Sequence, residues 1–274
     1  MPNRTWFITG VSTGFGRELT NQLLARGERV AGTVRDLAVM RELRDRMWLA
    51  TLDLVDTPAI RTVVDRAFAE LGRIDVVVSN AGYGLLGAAE EMSDAQVMHQ
   101  LDTNLLGSIQ VVRAALPHLR AQGGGRILQL STFGGQAALP GGSMYHASKW
   151  GIEGFIDAVA QEVKPFGIEC TLIEPGGART DFRHRSAQLP ATRIAAYDAS
   201  PALHARKTLE NRDAIAPGDP VKMVELMIAS VDRSPAPLRI AMGKDAYTYM
   251  HAQLTQRLAA LEAQRELAFS TDAS

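Results

Sequence analysis

Tyr145 and Lys149 stand four residues apart in the stretch Ser143-Met144-Tyr145-His146-Ala147-Ser148-Lys149-Trp150-Gly151-Ile152. The apolar residues that follow, Ile152, Phe155, Ile156 and Val159, recur at helical spacing, so the pair should lie one turn apart on one side of a helix. A tyrosine hydroxyl titrates near ~10, too high for ready proton exchange at neutral pH. An ammonium group one turn away favours the phenolate and is expected to lower that value, which suits proton transfer. Y-x-x-x-K on its own fits an ordinary helix with a solvated lysine equally well. The weight therefore falls on the elements that would deliver reactants to the pair.

The first such element opens the chain. Thr5 to Thr9 reads as a strand, Gly10-Val11-Ser12-Thr13-Gly14-Phe15-Gly16 as a glycine loop, and Leu19, Leu23 and Leu24 mark a helix after it. Strand, loop and helix in this order bring spare N–H groups and the positive end of a helix to a pyrophosphate. The spacing is G-x-x-x-G-x-G, which differs from the commoner G-x-G-x-x-G. The next strand, Arg29 to Arg35, ends where a dinucleotide fold distinguishes its two nicotinamide cofactors. Val34 takes the place of a ribose-binding carboxylate and Arg35 follows, a guanidinium suited to the 2′-phosphate of NADP(H). Asp36 is read as the N-cap of a helix from Leu37 to Arg46. Should it face the ribose instead, NAD(H) competes.

Asp53 and Leu54 close a third strand, where the carboxylate either meets the adenine amino group or helps to cap a helix from Thr57 to Leu71. Ile74 to Ser79 reads as a buried parallel strand running into Asn80-Ala81-Gly82, small residues that let backbone pass close to a ligand. Ser93 begins a helix expected to reach about Arg120. Asn104 lies in its interior, which points to a local distortion or a buried water, with an outward-facing asparagine equally open. Arg126 to Leu130 forms a strand ending in Ser131-Thr132-Phe133, whose hydroxyls point into a crevice or cap a turn. Gly167 to Ile173 is a sixth strand, leading to Pro175-Gly176-Gly177 and Thr180.

From Asp181 to Pro217 the periodicity fades, and we read a partly helical lid over a substrate. A helix from Pro220 to Val231, an edge strand from Leu238 to Met242 and a helix from Ala246 to Leu267 complete the chain. Leu254, Leu258 and Leu261 share a face of that last helix and should pack on the body or on a partner subunit. One domain over 1–245 with a helical extension over 246–274 is the expected division.

The 274 residues are 46% hydrophobic and 22% charged, a balance that suits one soluble domain with a sizeable core. A formal net charge of -1 provides no global field to recruit nucleic acid or an anionic membrane. Cys170 is the single cysteine and sits in an apolar run, so it reads as a small core residue. No signal peptide, membrane span or metal-ligand cluster is apparent, and a cytoplasmic enzyme is the expectation.

Assembled in order, Thr9-Gly10-x-x-x-Gly14-Phe15-Gly16, Asp53, Asn80-Ala81-Gly82, Asn104, Ser131-Thr132, Tyr145-x-x-x-Lys149 and Pro175-Gly176 with Thr180 make the chain similar to the short-chain dehydrogenase/reductase family from Thr5 to about Met242. The run after Lys149 and the Glu174-Pro175-Gly176-Gly177 loop resemble its retinol and hydroxysteroid dehydrogenase branch and related bacterial ketone reductases. The resemblance implies an α/β fold, a doubly wound Rossmann-type domain with a seven-stranded parallel sheet in the order 3-2-1-4-5-6-7. It also implies a homodimer or homotetramer. The family's catalytic serine aligns with Thr132, a substitution that keeps the hydroxyl but adds a stiffening methyl. Adjacent strand residues point to opposite faces, so Thr132 takes the role unless a bulge transfers it to Ser131.

The expected chemistry is reversible hydride transfer between NADP(H) and a carbonyl/alcohol pair. Tyr145 would give or take the proton, Thr132 would bond the substrate oxygen, Lys149 would lower the tyrosine pKa and hold ribose hydroxyls, and Asn104 would anchor a water. Tyr83, Phe133, Met144, Trp150 and Phe182 suggest apolar walls, hence a lipophilic substrate. His146 and His184 either meet a polar group or are structural. A non-catalytic NADP(H)-binding redox sensor, or an isomerase or dehydratase on the same scaffold, are the rival readings.

Overall fold

The computed structural model describes residues 3–211 and 215–273. Among these, nine strands follow in chain order: β1 (Thr5–Thr9), β2 (Arg29–Val34), β3 (Trp48–Thr51), β4 (Val76–Ser79), β5 (Gly84–Leu85), β6 (Gly125–Leu130), β7 (Ile168–Pro175), β8 (Ala187–Gln188) and β9 (Arg239–Met242). The helices are α1 (Gly14–Ala25), α2 (Thr57–Leu71), α3 (Asp94–Leu101), α4 (Gly107–Ala121), α5 (Ser143–Val163), α6 (Leu203–Glu210), α7 (Pro220–Ser230), α8 (Lys244–Glu262) and α9 (Arg265–Phe269).

Seven strands join in one sheet, ordered β3-β2-β1-β4-β6-β7-β9, and every pairing is parallel. This is the expected 3-2-1-4-5-6-7 order once the short strands β5 and β8, which pair with each other, are set aside. Helices cover both faces, as a parallel sheet requires. Alternation along the strands divides the core: Phe7, Val77 and Ile127 face α2, α4 and α5, whereas Trp6, Ile8, Val76 and Val78 face α1 and α7. β1 is flanked by β2 and β4, so the chain reverses its direction of travel there. The carboxyl ends of these strands open the crevice where such folds take ligands.

Four local expectations meet the structure with different outcomes. The segment after β2 is not a regular helix over Leu37 to Arg46 but 3₁₀ turns over Leu37–Leu43 with a kink at Met40. Leu37, Met40 and Leu43 all pack on the core, and a spacing of three matches the eclipsed side chains of a 3₁₀ helix. The helix begun by Ser93 is interrupted by a π-helical turn over Asp102–Leu106, which holds Asn104; the local distortion is therefore present. The α2 cap is Asp56, which accepts from Ala59 N at 3.0 Å, while Asp53 accepts from Val55 N. Finally, Leu254, Leu258 and Leu261 do not pack on the body: they are 42%, 57% and 66% exposed. The start of α8 docks through Ala246 and Met250 against Ala137 and Phe133, and farther along Arg257 lies over Trp150.

The 181–217 segment is partly helical, with a π turn at Phe182–Ser186, 3₁₀ turns at Ala195–Ala199 and α6; its residues 212–214 lie outside the described residues. Its contacts with the stretch after β4 include Tyr197 donating to Glu90 at 2.9 Å and two further anchors. One is the β5–β8 pair. The other is buried Glu91, which accepts from Ile194 N at 3.0 Å and from Arg206 at 3.3 Å. Among the described residues no helix is long and apolar enough to cross a membrane.

Candidate active site

The floor of the crevice is the loop between β1 and α1. Gly10 has φ +73°, and a Cβ on Gly16 would lie 2.2 Å from Gly10 O and 2.6 Å from Asn80 Nδ2. The Asn80 amide donates to Thr9 O at 2.8 Å and Gly10 O at 3.0 Å, and the Thr9 hydroxyl accepts from Asn80 N and Ala81 N. Asn80 thus braces the loop with its side chain. Backbone of this kind, with its N–H groups at a helix start, suits a pyrophosphate. Gly16→Ala should displace the loop and weaken nicotinamide-cofactor binding by about tenfold or more, because an overpacked methyl costs about 1–3 kcal/mol. Titration of cofactor fluorescence reads this directly, and unchanged affinity would contradict the cradle.

Beside the loop, Arg35 is exposed at the tip of β2 immediately after buried Val34. Asp36 turns to its own helix and accepts from Ala38 N at 2.8 Å. Asp53 is exposed and Leu54 buried. Across the crevice, the loop after β7 carries Pro175, Gly176 and Thr180, and Thr180 Cβ approaches the Cβ position of Gly14 to 3.9 Å. Ser12, Thr13 and Phe15 complete the loop below it and are half-buried.

Asn104 is fully buried in its π turn. Its amide donates to Tyr83 O at 2.7 Å and to Ser148 Oγ at 3.4 Å, while its oxygen accepts from Tyr83 N at 3.0 Å. It therefore pins the segment after Asn80-Ala81-Gly82 to α5. The extra residue of a π turn aims a polar side chain inward from a helix that would otherwise hide it.

Tyr145 and Lys149 lie on α5 as their spacing requires, with Lys149 Nζ 6.0 Å from the Tyr145 ring centroid. The lysine is 5% exposed and donates to Leu130 O at 2.8 Å. Burial pulls its pKa down to about 8, opposed by the charge of Glu153. For Tyr145 the expected direction is reversed: burial pushes the phenol up to about 12, and the hydrogen bond with Thr132, not the Lys149 charge, draws it back. Desolvation of an anion outweighs a cation whose proton is already directed at a backbone carbonyl.

At the end of β6, adjacent residues diverge. The Thr132 hydroxyl faces Tyr145 and donates to Pro175 O at 3.3 Å, whereas Ser131 Oγ turns to the other face and donates to Glu153 at 2.6 Å. Phe133 is not a pocket wall, for it packs on α8 and stacks on Tyr249 with centroids 5.4 Å apart. Trp150 is likewise outside the crevice, 39% exposed beneath Arg257 at 4.8 Å. Phe182 does reach the site, its ring 6.1 Å from that of Tyr145. Tyr83, half-buried, packs on His99, and Met144 is half-buried beside Tyr145. His146 is structural: Nδ1 donates to Gly134 O at 2.9 Å, Nε2 accepts from Leu139 N at 3.2 Å, and burial holds it below the usual histidine range. His184 is exposed. Burial, helped by Glu169, pushes the Cys170 thiol up to about 12, so it is inert.

The sequence reading missed the polar residues behind this site. Glu153, Glu174, Gln136 and Arg239 connect to Ser131 and to one another. Glu153 was within reach of sequence reasoning, one turn beyond Lys149 on the same helix face.

A phenol, a threonine hydroxyl and a buried ammonium beside a glycine cradle suit proton transfer coupled to a bound dinucleotide. A family model described as short chain dehydrogenase matches residues 4–190. The chain belongs to the short-chain dehydrogenase/reductase family. It is 34% identical over 273 residues to Oxidoreductase BOA17 of Botryotinia fuckeliana (strain B05.10), covering 98% of this chain and 99% of that one. To the human 17-beta-hydroxysteroid dehydrogenase type 1 it is 33% identical over 195 residues, 65% of this chain and 58% of the relative. The crystal structure of a short-chain dehydrogenase from Streptomyces avermitilis superposes with a TM-score of 0.91 at 32% identity, covering 99% of each chain. This short-chain dehydrogenase/reductase is an NAD(P)-dependent oxidoreductase, and its glycine loop fits that cofactor because Gly16 admits a backbone approach that a Cβ would block.

Proposed function

We propose that the protein transfers hydride between NADP(H) and a ketone or aldehyde of apolar character, or the corresponding alcohol. The observation that carries this reading is the buried Tyr145 hydroxyl of α5, hydrogen-bonded to Thr132 after the end of β6 and with Phe182 beside its ring. The bound nicotinamide supplies or accepts the hydride. In the reducing direction Tyr145 donates its proton to the developing alkoxide, and Thr132 bonds the same oxygen and fixes its position. Lys149, whose ammonium donates to Leu130 O in the protein interior, would hold the ribose hydroxyls with its remaining N–H groups. Asn104 keeps the Tyr83 segment in place beside them and anchors a water toward Lys149. Phe182, with Tyr83 and Met144, forms the apolar wall, and the 33% identity to a hydroxysteroid enzyme supports a lipophilic substrate. A cytoplasmic homodimer or homotetramer belongs to the same proposal on family resemblance.

The preference for NADP(H) rests on exposed Arg35 following Val34, with Asp36 turned to Ala38 N. Gly10, Ser12 to Gly16, Asp53, Leu54, Asn80 to Gly82, Pro175, Gly176 and Thr180 border the rest of the dinucleotide. The test is a panel of aldehydes, cyclic ketones and steroids with NADPH and NADH in parallel, for wild type and Arg35→Ala. NADPH should be consumed faster, and the variant should lose about ten- to hundredfold of that preference, the worth of one charge-assisted hydrogen bond. Cofactor bound tightly but oxidised by no carbonyl would instead identify a binding protein. Equal use of both cofactors would remove Arg35 from the reading.

A further inference from the structure

Behind the reactive face, three strand ends and α5 meet in a buried cluster of acids. Glu153 follows Lys149 by one helical turn and is 3% exposed; Glu174, the residue before Pro175 in β7, is 1% exposed. Ser131 Oγ donates to Glu153 Oε1 at 2.6 Å. Arg239 on β9 reaches Glu153 at 3.2 Å, Glu174 at 3.3 Å and Asp157 at 2.6 Å. Gln136 donates to Glu174, whose carboxyl shares the Arg239 Nε with that of Glu153. The charged groups facing this cluster are Lys149 and Asp157 from α5 and Arg239 from β9. Asp157 is 40% exposed at the solvent side, so the two buried carboxyl groups, Glu153 and Glu174, crowd the single N–H of Arg239 Nε at 3.2 and 3.3 Å. One N–H cannot serve both, and like charges this close favour a proton on one of them.

We propose that Glu174 is a positioning residue that works as the neutral carboxylic acid, donating to Glu153 and so fixing Thr132 and Lys149 from behind. The contacts then grip both sides of the reactive pair. Lys149 holds Leu130 O and Glu153 holds Ser131 Oγ, so the two residues before Thr132 are tied to consecutive turns of α5. On the other side Glu174 precedes Pro175, whose carbonyl accepts from Thr132 at 3.3 Å. Burial, with the Glu153 charge next, pushes the Glu174 carboxyl up to about 8, which agrees with a proton retained at neutral pH.

This inference rests on the proposed roles of Thr132 and Lys149, but its test needs no carbonyl substrate. Difference infrared spectra of wild type and Glu174→Gln should show a protonated-carboxyl C=O stretch at pH 7 that disappears above about pH 8 and is missing from the variant. Because the folded protein binds this proton more tightly than the unfolded chain, wild-type stability is lost as pH rises from about 5 to about 8. The midpoint advantage of Glu174→Gln should therefore grow across that window, reaching about 5 °C. Glutamine keeps an N–H donor for Glu153, so this variant should bind NADPH like wild type. Glu174→Leu, folded by circular dichroism, should bind about tenfold more weakly, the cost of unpaired buried acceptors. A missing infrared band, a stability difference independent of pH, or equal NADPH affinity in the Gln and Leu variants would each overturn the proposal. Should carbonyl turnover never be found while the band and the affinity split are present, the reaction assignment fails and the positioning role stands.

Discussion

Tyr145→Phe should reduce carbonyl-dependent NADPH oxidation by about 10²–10⁴-fold, the usual contribution of a positioned general acid, while leaving cofactor affinity nearly intact. The variant keeps the ring that packs 6.1 Å from Phe182 and removes only the hydroxyl facing Thr132. Its fold should be unaffected. The pH dependence follows from the same group. With burial pushing the phenol up to about 12, the neutral hydroxyl needed for carbonyl reduction is present throughout the physiological range. Alcohol oxidation needs the phenolate, so its rate should rise with pH up to that value and then level off. Paired pH profiles for the two directions in wild type check this, and unchanged turnover in Tyr145→Phe would remove the proton-donor role.

Lys149→Met carries the second large effect, an expected loss of about 10²-fold in turnover together with weaker cofactor binding. The side chain is 5% exposed, and its amine donates to Leu130 O, which also accepts from the Gln129 amide at 3.0 Å. Methionine approximates the length but removes the amine donor and leaves Glu153 with Arg239 as its cation. Wild-type Lys149 loses its charge as pH rises through about 8, so cofactor affinity should fall above that pH in wild type and not in Lys149→Met. Stability moves the opposite way. A lysine depressed from 10.5 to about 8 costs the folded state below that value, and the cost is relieved between about 8 and 10.5. Fluorescence titration across this range separates the two. An affinity that falls equally in both proteins would assign the effect to another group.

Local pattern made the framework legible, because strand, glycine loop and helix are short-range units and each parallel strand is a single apolar run. Tyr145 and Lys149 could be placed for the same reason, being neighbours on one helix. The difficulties arose where tertiary packing decided the outcome. Leu37, Met40 and Leu43 repeat every third residue, and the core uses that period to wind a 3₁₀ turn in place of an α-helix. Phe133 and Trp150 are aromatic and lie near the reactive residues in sequence, yet α8 meets one and passes over the other. The sign of the Tyr145 shift depends on how deeply the ring is buried, which spacing cannot express. Glu153 was one turn from Lys149 and readable. Arg239 was not, since it joins Glu153 and Glu174 only through the register that sets Leu172 beside Arg239 in β7 and β9.

The 181–217 stretch hangs from the segment that Asn104 clamps. The β5–β8 pair, Glu91 and the Tyr197–Glu90 hydrogen bond all fasten it within ten residues of Tyr83, which Asn104 holds at two backbone atoms. On the proposed reading of that stretch as a lid, a bulky guest that lifts it would pull on the strip beside the nicotinamide, so the size of what enters and the grip on the hydride carrier would be linked through a single short piece of backbone.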